Sequence, residues 1–530
     1  MPASPSTARL ARLSPMGGCG LVAIFALGLG AFGFLDTVRH NPPFQWSFLG
    51  AGALLLVWSG GLFGLAHRQR RRLTLELAVR KQHFVQAIAQ LVFLLYWGWH
   101  WRQVYDSAFL IAAQLVFAYA FDMLLCWSRR DTYTLGFGPF PVIFSINLFL
   151  WFLDDWFYLQ FLLVALGFAA KELIRWDKGG QRVHIFNPSS FPLAVFSLAL
   201  ILTGTSDLTW GQDIATSQFF PPHVYLVLFL VALPGQYLFG VASMTLSAVA
   251  VTYVFGLLYF AATGVYFFYD SYIPIAVFLG MHLLFTDPST APRTEGGRIL
   301  FGVCYGLSTV ALYALLGRAG VPPFYDKLLQ VPVLNLSIQL LDRVAHSRRL
   351  RKIDPVALGR GLLVSRQRNL AYMALWAGVL ALMSALQGVG DRHPGQWVPF
   401  WQGACSDARP SACRYLADMQ LRFCESGSGW ACNEAGILLD SADAGGAFGP
   451  FGRGCDLGFE PACRNLTGLT SGLGPFEFAR AQPTLEDYPI ILRGTKGPIT
   501  DRSPAALYAL ACSQGWADTC ACCQRALAGV

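Results

Sequence analysis

"NLAYMALWAGVLALMSALQGVGDRHPGQWVPFWQGACSDARPSAC", residues 369–413, changes character halfway along. Residues 369–388 form an apolar run of the length needed to cross a hydrocarbon core of ~30 Å as a helix. After 389 the composition turns polar, and Cys405 and Cys413 stand eight residues apart. A membrane span therefore gives way to a cysteine-rich domain. The remaining sequence falls on one side or the other of that change.

Upstream, the composition is that of a membrane protein. The 530 residues are 54% hydrophobic and 13% charged, against about 25% charged in ordinary soluble domains, and mean hydropathy is +0.45. Apolar runs lie near 17–37, 46–66, 84–104, 107–127, 139–153, 156–174, 188–204, 222–240, 243–263, 270–286, 299–317, 329–346 and 369–388. They predict an all-α polytopic membrane bundle of about 13 spans. The first run is long and followed at once by another, unlike a cleaved signal peptide.

Basic residues set the orientation. "HRQRRR" (67–72), Arg80-Lys81, Arg129-Arg130, Lys171, Arg175, Lys178, Arg182, Arg293, Arg298, "RRLRK" (348–352), Arg366 and Arg368 all fall on one side of the count. Only Arg39, Arg102, Arg318 and Lys327 fall on the other. The amino terminus is expected in the cytoplasm of a bacterial cell, with the chain multi-pass in the inner membrane and everything after ~389 periplasmic or extracellular. The net charge of +8 belongs to this flanking pattern, so the partner is the lipid bilayer and not nucleic acid.

Ten of thirteen cysteines follow residue 400, and Cys19, Cys126 and Cys304 sit singly in apolar runs. The eight-residue spacing recurs at Cys424/Cys432, Cys455/Cys463 and Cys512/Cys520. Zinc sites usually pair cysteines two to four residues apart, so disulfides on an oxidising side are the better reading. Gly427, Gly458 and Gly515 stand three after the first cysteine, with Ala408 in the first pair. Each pair is expected to staple a helix–turn–helix corner through a left-handed residue. Cys522 and Cys523 are left over. "RGCDLGFEPACRNL" and "LACSQGWADTC" resemble short tetratricopeptide-like repeats of the Sel type, here irregularly spaced, with 468–500 as an inserted loop. That resemblance implies a surface on which a protein partner docks.

Within the membrane region, related motifs occur in a pair of polar stretches, Asn187-Pro188-Ser189-Ser190 and Asp287-Pro288-Ser289-Thr290. An Asn before Pro reads as a helix cap. The same amides and hydroxyls are also suited to an anion or a ring carbonyl, with Arg293 and Arg298 available to a phosphate. Ionisable residues inside spans, Asp122 and His282, are candidate ion relays. Lys171 and Glu172 lie near a helix end and are expected to snorkel. No catalytic triad, Gly-rich nucleotide loop or metal-ligand set is found, and no cysteine set on the cytoplasmic side has iron–sulfur spacing.

"FNPSSF" and "TDPSTAPRTEGGRILFG" are similar to the paired motifs of the RnfD/NqrB family, membrane subunits of ion-translocating electron-transfer complexes. "LGFGPFPVIFSINLFLWF" (135–152) resembles a branch found with enediyne biosynthesis genes. The resemblance implies a urea-transporter-like core, a bound FMN or riboflavin, Na⁺ or H⁺ coupling and other redox subunits as partners. Asn187, Pro188, Thr286, Asp287, Pro288 and Arg293 are then expected at the cofactor. The family's covalent flavin threonine corresponds to Thr216 in "TGTSDLTWGQDIATSQFF". Here Gly211 stands where the family has Asp, and Asp213 is only three before the Thr, a departure from the attachment motif that leaves noncovalent flavin as the alternative. The expected organisation is 1–106 N-terminal spans, 107–346 core, 347–389 basic loop and last span, and 390–530 external repeats. A redox-inactive channel or transporter on the same fold, and a scaffold recruiting partners through the repeats, are the other readings.

Overall fold

The computed structural model describes residues 9–177, 180, 182–348, 350, 365–390, 393–440, 445–471, 479–485, 487, 501, 503–516 and 519–520. Cys522, Cys523 and Lys178 lie outside them. Two compact units divide the chain, Met1–Thr252 with Ile275–Leu380, and Tyr253–Pro274 with Ala381–Val530.

The first unit is mostly helical, and every apolar run in it carries a helix. Local chemistry starts several of them. Ser14 Oγ accepts from Gly17 N–H ahead of Pro15–Phe32, and Asn41 Oδ1 from Phe44 N–H ahead of Pro42–Arg68, each with Pro in the first turn. These two helices pack closely because a Cβ at Gly52 would stand 2.9 Å from the Ala26 carbonyl oxygen. Side chains such as Ile24, Leu54, Val57 and Leu202 remain exposed. So broad an apolar surface belongs in lipid, not water, and the chain is a membrane protein.

Among the described residues five helices are long and apolar enough to span: Pro15–Phe32, Pro42–Arg68, Ala108–Arg129, Ala242–Thr263 and Glu295–Arg318. The count of thirteen full spans is therefore not carried by length. Ser190–Thr203 has 14 residues, or about 21 Å at ~1.5 Å per residue, short of a ~30 Å hydrocarbon core. The run 139–153 departs further. Only Pro139–Asn147 is helical, and Leu148–Phe152 continue as buried irregular chain, with Phe152 bridging Thr209.

The fold is also not purely α. Arg9–Leu13 pairs antiparallel with Leu73–Leu77, which pairs parallel with Thr132–Leu135, and Arg175–Asp177 forms a hairpin with Arg182–His184. "LTLEL" at 73–77 alternates as a strand should, with Leu73 and Leu75 buried.

In the second unit, helices Val398–Ser406, Ala412–Glu425, Gly429–Asp440, Phe448–Asp456, Glu460–Ser471 and Pro504–Ser513 follow one another. Disulfides join Cys405–Cys413, Cys424–Cys432, Cys455–Cys463 and Cys512–Cys520. Every corner turns through positive φ three residues after its first cysteine: Ala408 at 55°, Gly427 at 100°, Gly458 at 80° and Gly515 at 91°. Ala412–Glu425 serves two corners at once, which explains the short spacing between the first two pairs.

Candidate functional site

Helix Tyr158–Leu173, the hairpin ending at His184, and the start of helix Ser190–Thr203 bring the Asn-Pro motif to one place. The π-helical turn Gly280–Leu284 delivers the Asp-Pro motif to the same place. Asn187 joins them: its Nδ2 donates to the Leu284 carbonyl at 3.0 Å, and its N–H donates to Asn335 Oδ1 at 3.1 Å. Asn335 Nδ2 in turn reaches the Thr290 carbonyl at 3.4 Å. A Cβ at Gly167 would lie 2.3 Å from the Pro188 carbonyl oxygen, so only glycine admits the motif against its helix.

Most of the polar atoms proposed for a ligand are spent within the motifs. Asn187 Oδ1 accepts from Ser189 N–H, Ser189 Oγ and Ser190 N–H. Asp287 Oδ1 accepts from Ser289 N–H, and Thr286 Oγ1 donates to the His282 carbonyl at 2.8 Å. Arg293 N–H donates to Asp342 Oδ2, and Arg298 donates to the carbonyls of Pro292 and Gly240. The anion-binding expectation for Arg298 and these amides thus meets groups already engaged. What stays open is an edge where His184 Nε2 lies 3.3 Å from Asp287 Oδ2, each side chain still partly exposed. Burial raises the Asp287 carboxyl, but His184 and the Ser289 amide together hold it below its usual range. His83, Lys171 and His184 share electrostatic reach at this edge. Sequence reasoning passed over His184, although it sits three residues before Asn187 in the stretch that carries the motif.

A second cluster adjoins through Lys171. Its Nζ lies 3.6 Å from Asp122 Oδ2, and Glu172 pairs with Arg130 at 3.1 Å and with Arg175. Glu172 is 7% exposed and does not snorkel. Asp122 thus has a cationic partner, and Cys126 Sγ lies 3.9 Å from both Asp122 and Glu172. Among the described residues His282 shares no partner with this group. Its Nδ1 bonds the Phe278 carbonyl at 2.7 Å and its Nε2 accepts from Trp376 Nε1 at 3.3 Å, which fixes the neutral tautomer.

Thr216 stands elsewhere. It is half-buried on the short helix Gly211–Ser217, and its Oγ1 donates to the Gln212 carbonyl at 2.9 Å. Helix Lys81–His100 serves as a ruler. His83, near its start, feels Asp287, whereas Trp97 donates to Ser217 Oγ at 3.2 Å. The fourteen residue steps from His83 to Trp97 rise about 21 Å along that helix, so the Asp-Pro motif and helix Gly211–Ser217 lie toward its opposite ends. Four indoles gather near the helix that carries Thr216: Trp210 precedes it and Trp97 donates to its Ser217. Trp101 stacks on Trp97 and Trp151 with centroids 5.2 and 5.7 Å away, and meets Trp210 edge-on.

A neutral polar network, also unread in the sequence because it carries no charge, surrounds the broken run 139–153. Gln114 and Asn147 exchange amide hydrogen bonds, Gln160 donates to Gln114, and Gln160 Oε1 accepts from Phe152 N–H. Gln218 Nε2 donates to the Leu148 carbonyl. The amides thereby satisfy main chain that left its helix. Gln90 Oε1 and Gln218 Oε1, both fully buried, have no partner among the described residues.

Comparison with protein-family models, curated proteins and solved structures returns no match to this chain.

Proposed function

We propose that the chain is the membrane subunit of a multi-subunit redox complex, relaying electrons through a bound flavin, with Na⁺ or H⁺ movement coupled to the transfer. The observation that carries the reading is the meeting of the two Pro-Ser motifs through Asn187 and Leu284. These are the motifs on which the RnfD/NqrB resemblance rests. In this reading Asn187, Pro188, Thr286, Asp287 and Pro288 clamp the core, and the His184–Asp287 edge is the place for a ring carbonyl. The indoles near helix Gly211–Ser217 offer a second stacking surface. The basic flanks favour a cytoplasmic amino terminus with the four disulfides outside. The repeats there dock a protein partner.

Absorbance near the flavin bands and in-gel fluorescence of the gently extracted protein test this. Fluorescence that survives denaturation and vanishes in Thr216→Ala means covalent flavin. Fluorescence lost on denaturation means noncovalent flavin, and a colourless protein ends the redox reading. The buried amides around the broken run favour a second reading, a pathway for a small polar solute or ion, since such breaks commonly line transport sites. Solute uptake into liposomes, abolished by Gln218→Leu, is its test.

A further inference from the structure

In the repeat unit the chain carries something held as a ligand would be. Residues 479–485, "ARAQPTL", run without regular secondary structure, and their burial alternates residue by residue. Ala479, Ala481, Pro483 and Leu485 are the more buried positions, and Arg480, Gln482 and Thr484 the exposed ones. That period of two is the signature of an extended strand lying on a surface.

The surface grips its main chain. Asn433 Nδ2 and Asn465 Nδ2 both donate to the Ala479 carbonyl, at 3.0 and 3.2 Å. Asn465 Oδ1 accepts from Ala479 N–H at 2.8 Å, and Asn465 Nδ2 also reaches Asn433 Oδ1 at 2.7 Å. Both backbone groups of one residue are therefore satisfied by two buried asparagines on helices Gly429–Asp440 and Glu460–Ser471. Trp430 Nε1 donates to the Ala481 carbonyl at 2.8 Å. Arg480 pairs with buried Glu434 at 3.0 Å, and Leu485 packs against Ala511.

Recognition through main-chain groups, with small side chains facing in, is how grooves hold extended peptides. We propose that this groove is a peptide-binding site for an extended segment of a partner protein, and that residues 479–485 are its built-in occupant. The ligand class follows from the resident: small residues at alternate positions, a cationic side chain between the first two to meet Glu434, and Leu four residues after the second. The resident competes at the high effective concentration of a tethered segment, so a partner must displace it. This deepens the docking reading of the repeats and is independent of any flavin.

The test uses the full-length protein in detergent and a fluorescent peptide with the sequence of residues 477–488. In a variant whose residues 479–485 are replaced by Gly/Ser of equal length, the peptide is expected to bind at least tenfold more tightly than to the wild type. Adding Asn433→Ala and Asn465→Ala is expected to reverse that gain. Should the replacement not fold, Ala479→Pro removes the N–H that donates to Asn465 Oδ1, and is expected to raise peptide affinity at least threefold. A folded variant, with all four disulfides intact, that binds no better than wild type overturns the proposal. Peptide binding that appears only with dimer formation overturns the partner assignment in favour of a second copy.

Discussion

Asn187 Nδ2 and the Leu284 carbonyl meet at 3.0 Å across 97 residues of sequence. One buried amide thus ties the turn that opens a helix to the turn that closes another. It also caps: its Oδ1 takes the Ser189 and Ser190 N–H groups left over at the helix start. Asn187→Ala removes a cap worth ~1 kcal/mol and strands a buried carbonyl at about 1–3 kcal/mol. The expected loss is roughly 3 kcal/mol. Asn187→Asp keeps the acceptor for the cap but loses the donor to Leu284, and places a buried carboxylate beside a carbonyl. Thermal unfolding in detergent should rank wild type above both variants. A melting temperature unchanged in Asn187→Ala would show that the cross-link carries no stability.

Lys171 and Asp122 offer a second measurement. Asp122 is buried and Lys171 is the cation within 3.6 Å. Lys171→Met leaves the carboxylate uncompensated, and breaking such pairs costs about 3–5 kcal/mol when fully buried. Lys171 is partly exposed, so about 2 kcal/mol is expected. The double variant Asp122→Asn, Lys171→Met should recover most of it. Equal stability of single and double variants would mean that the two groups do not interact.

How much of this was legible follows the physics of each signal. Helices in the apolar runs and the four staples could be read because hydrophobic length and cysteine spacing are local properties. The junction of Asn187 with Leu284 could only be suspected, since nothing in either motif names its partner. Glu172 was misjudged because proximity to a helix end suggests snorkelling, whereas Arg130 arrives from another helix's end and, with Arg175 three residues on, holds it inside. The amides Gln114, Asn147 and Gln160 went unread for a related reason: neutral residues carry no electrostatic flag, and their value lies in satisfying main chain that tertiary structure unwound. The segment at 479–485 looked like loop because Ala, Gln and Pro show no periodic hydrophobicity; its alternation exists only against Asn433 and Asn465.

His393 gives the second unit a defined response to acid. Its ring is fully buried, Nδ1 accepts from Gly395 N–H, and burial pushes its pKa down to about 3. The folded pKa is below the unfolded value of about 6.5, so the stabilisation is complete above that value. It is lost as pH falls from there toward 3, because the unfolded chain takes up the proton first. Between pH 7.5 and 4.5 the loss is on the order of 2–3 kcal/mol. His393→Asn keeps an acceptor for Gly395 and does not titrate in this range. Its melting temperature in this unit should fall less than that of wild type over the same pH step. Parallel falls would assign the acid response to other groups.

The four corners of the repeat unit contain their own control experiment. Three turn at glycine and one at Ala408, whose φ is 55°. For a residue with a Cβ that conformation costs roughly 1 kcal/mol relative to glycine. The freedom that glycine adds to the unfolded chain offsets part of the gain. Ala408→Gly is therefore expected to stabilise the unit by about 0.5 kcal/mol. Gly458→Ala, at φ of 80°, should destabilise it by about 1 kcal/mol. Neither substitution touches a sulfur, so alkylation without reductant should leave all four pairs unlabelled in both variants. Opposite signs for the two substitutions, read by denaturant midpoint, identify the left-handed residue as the element that lets cysteines eight apart close a helical corner. Equal signs would place the control of the corner elsewhere.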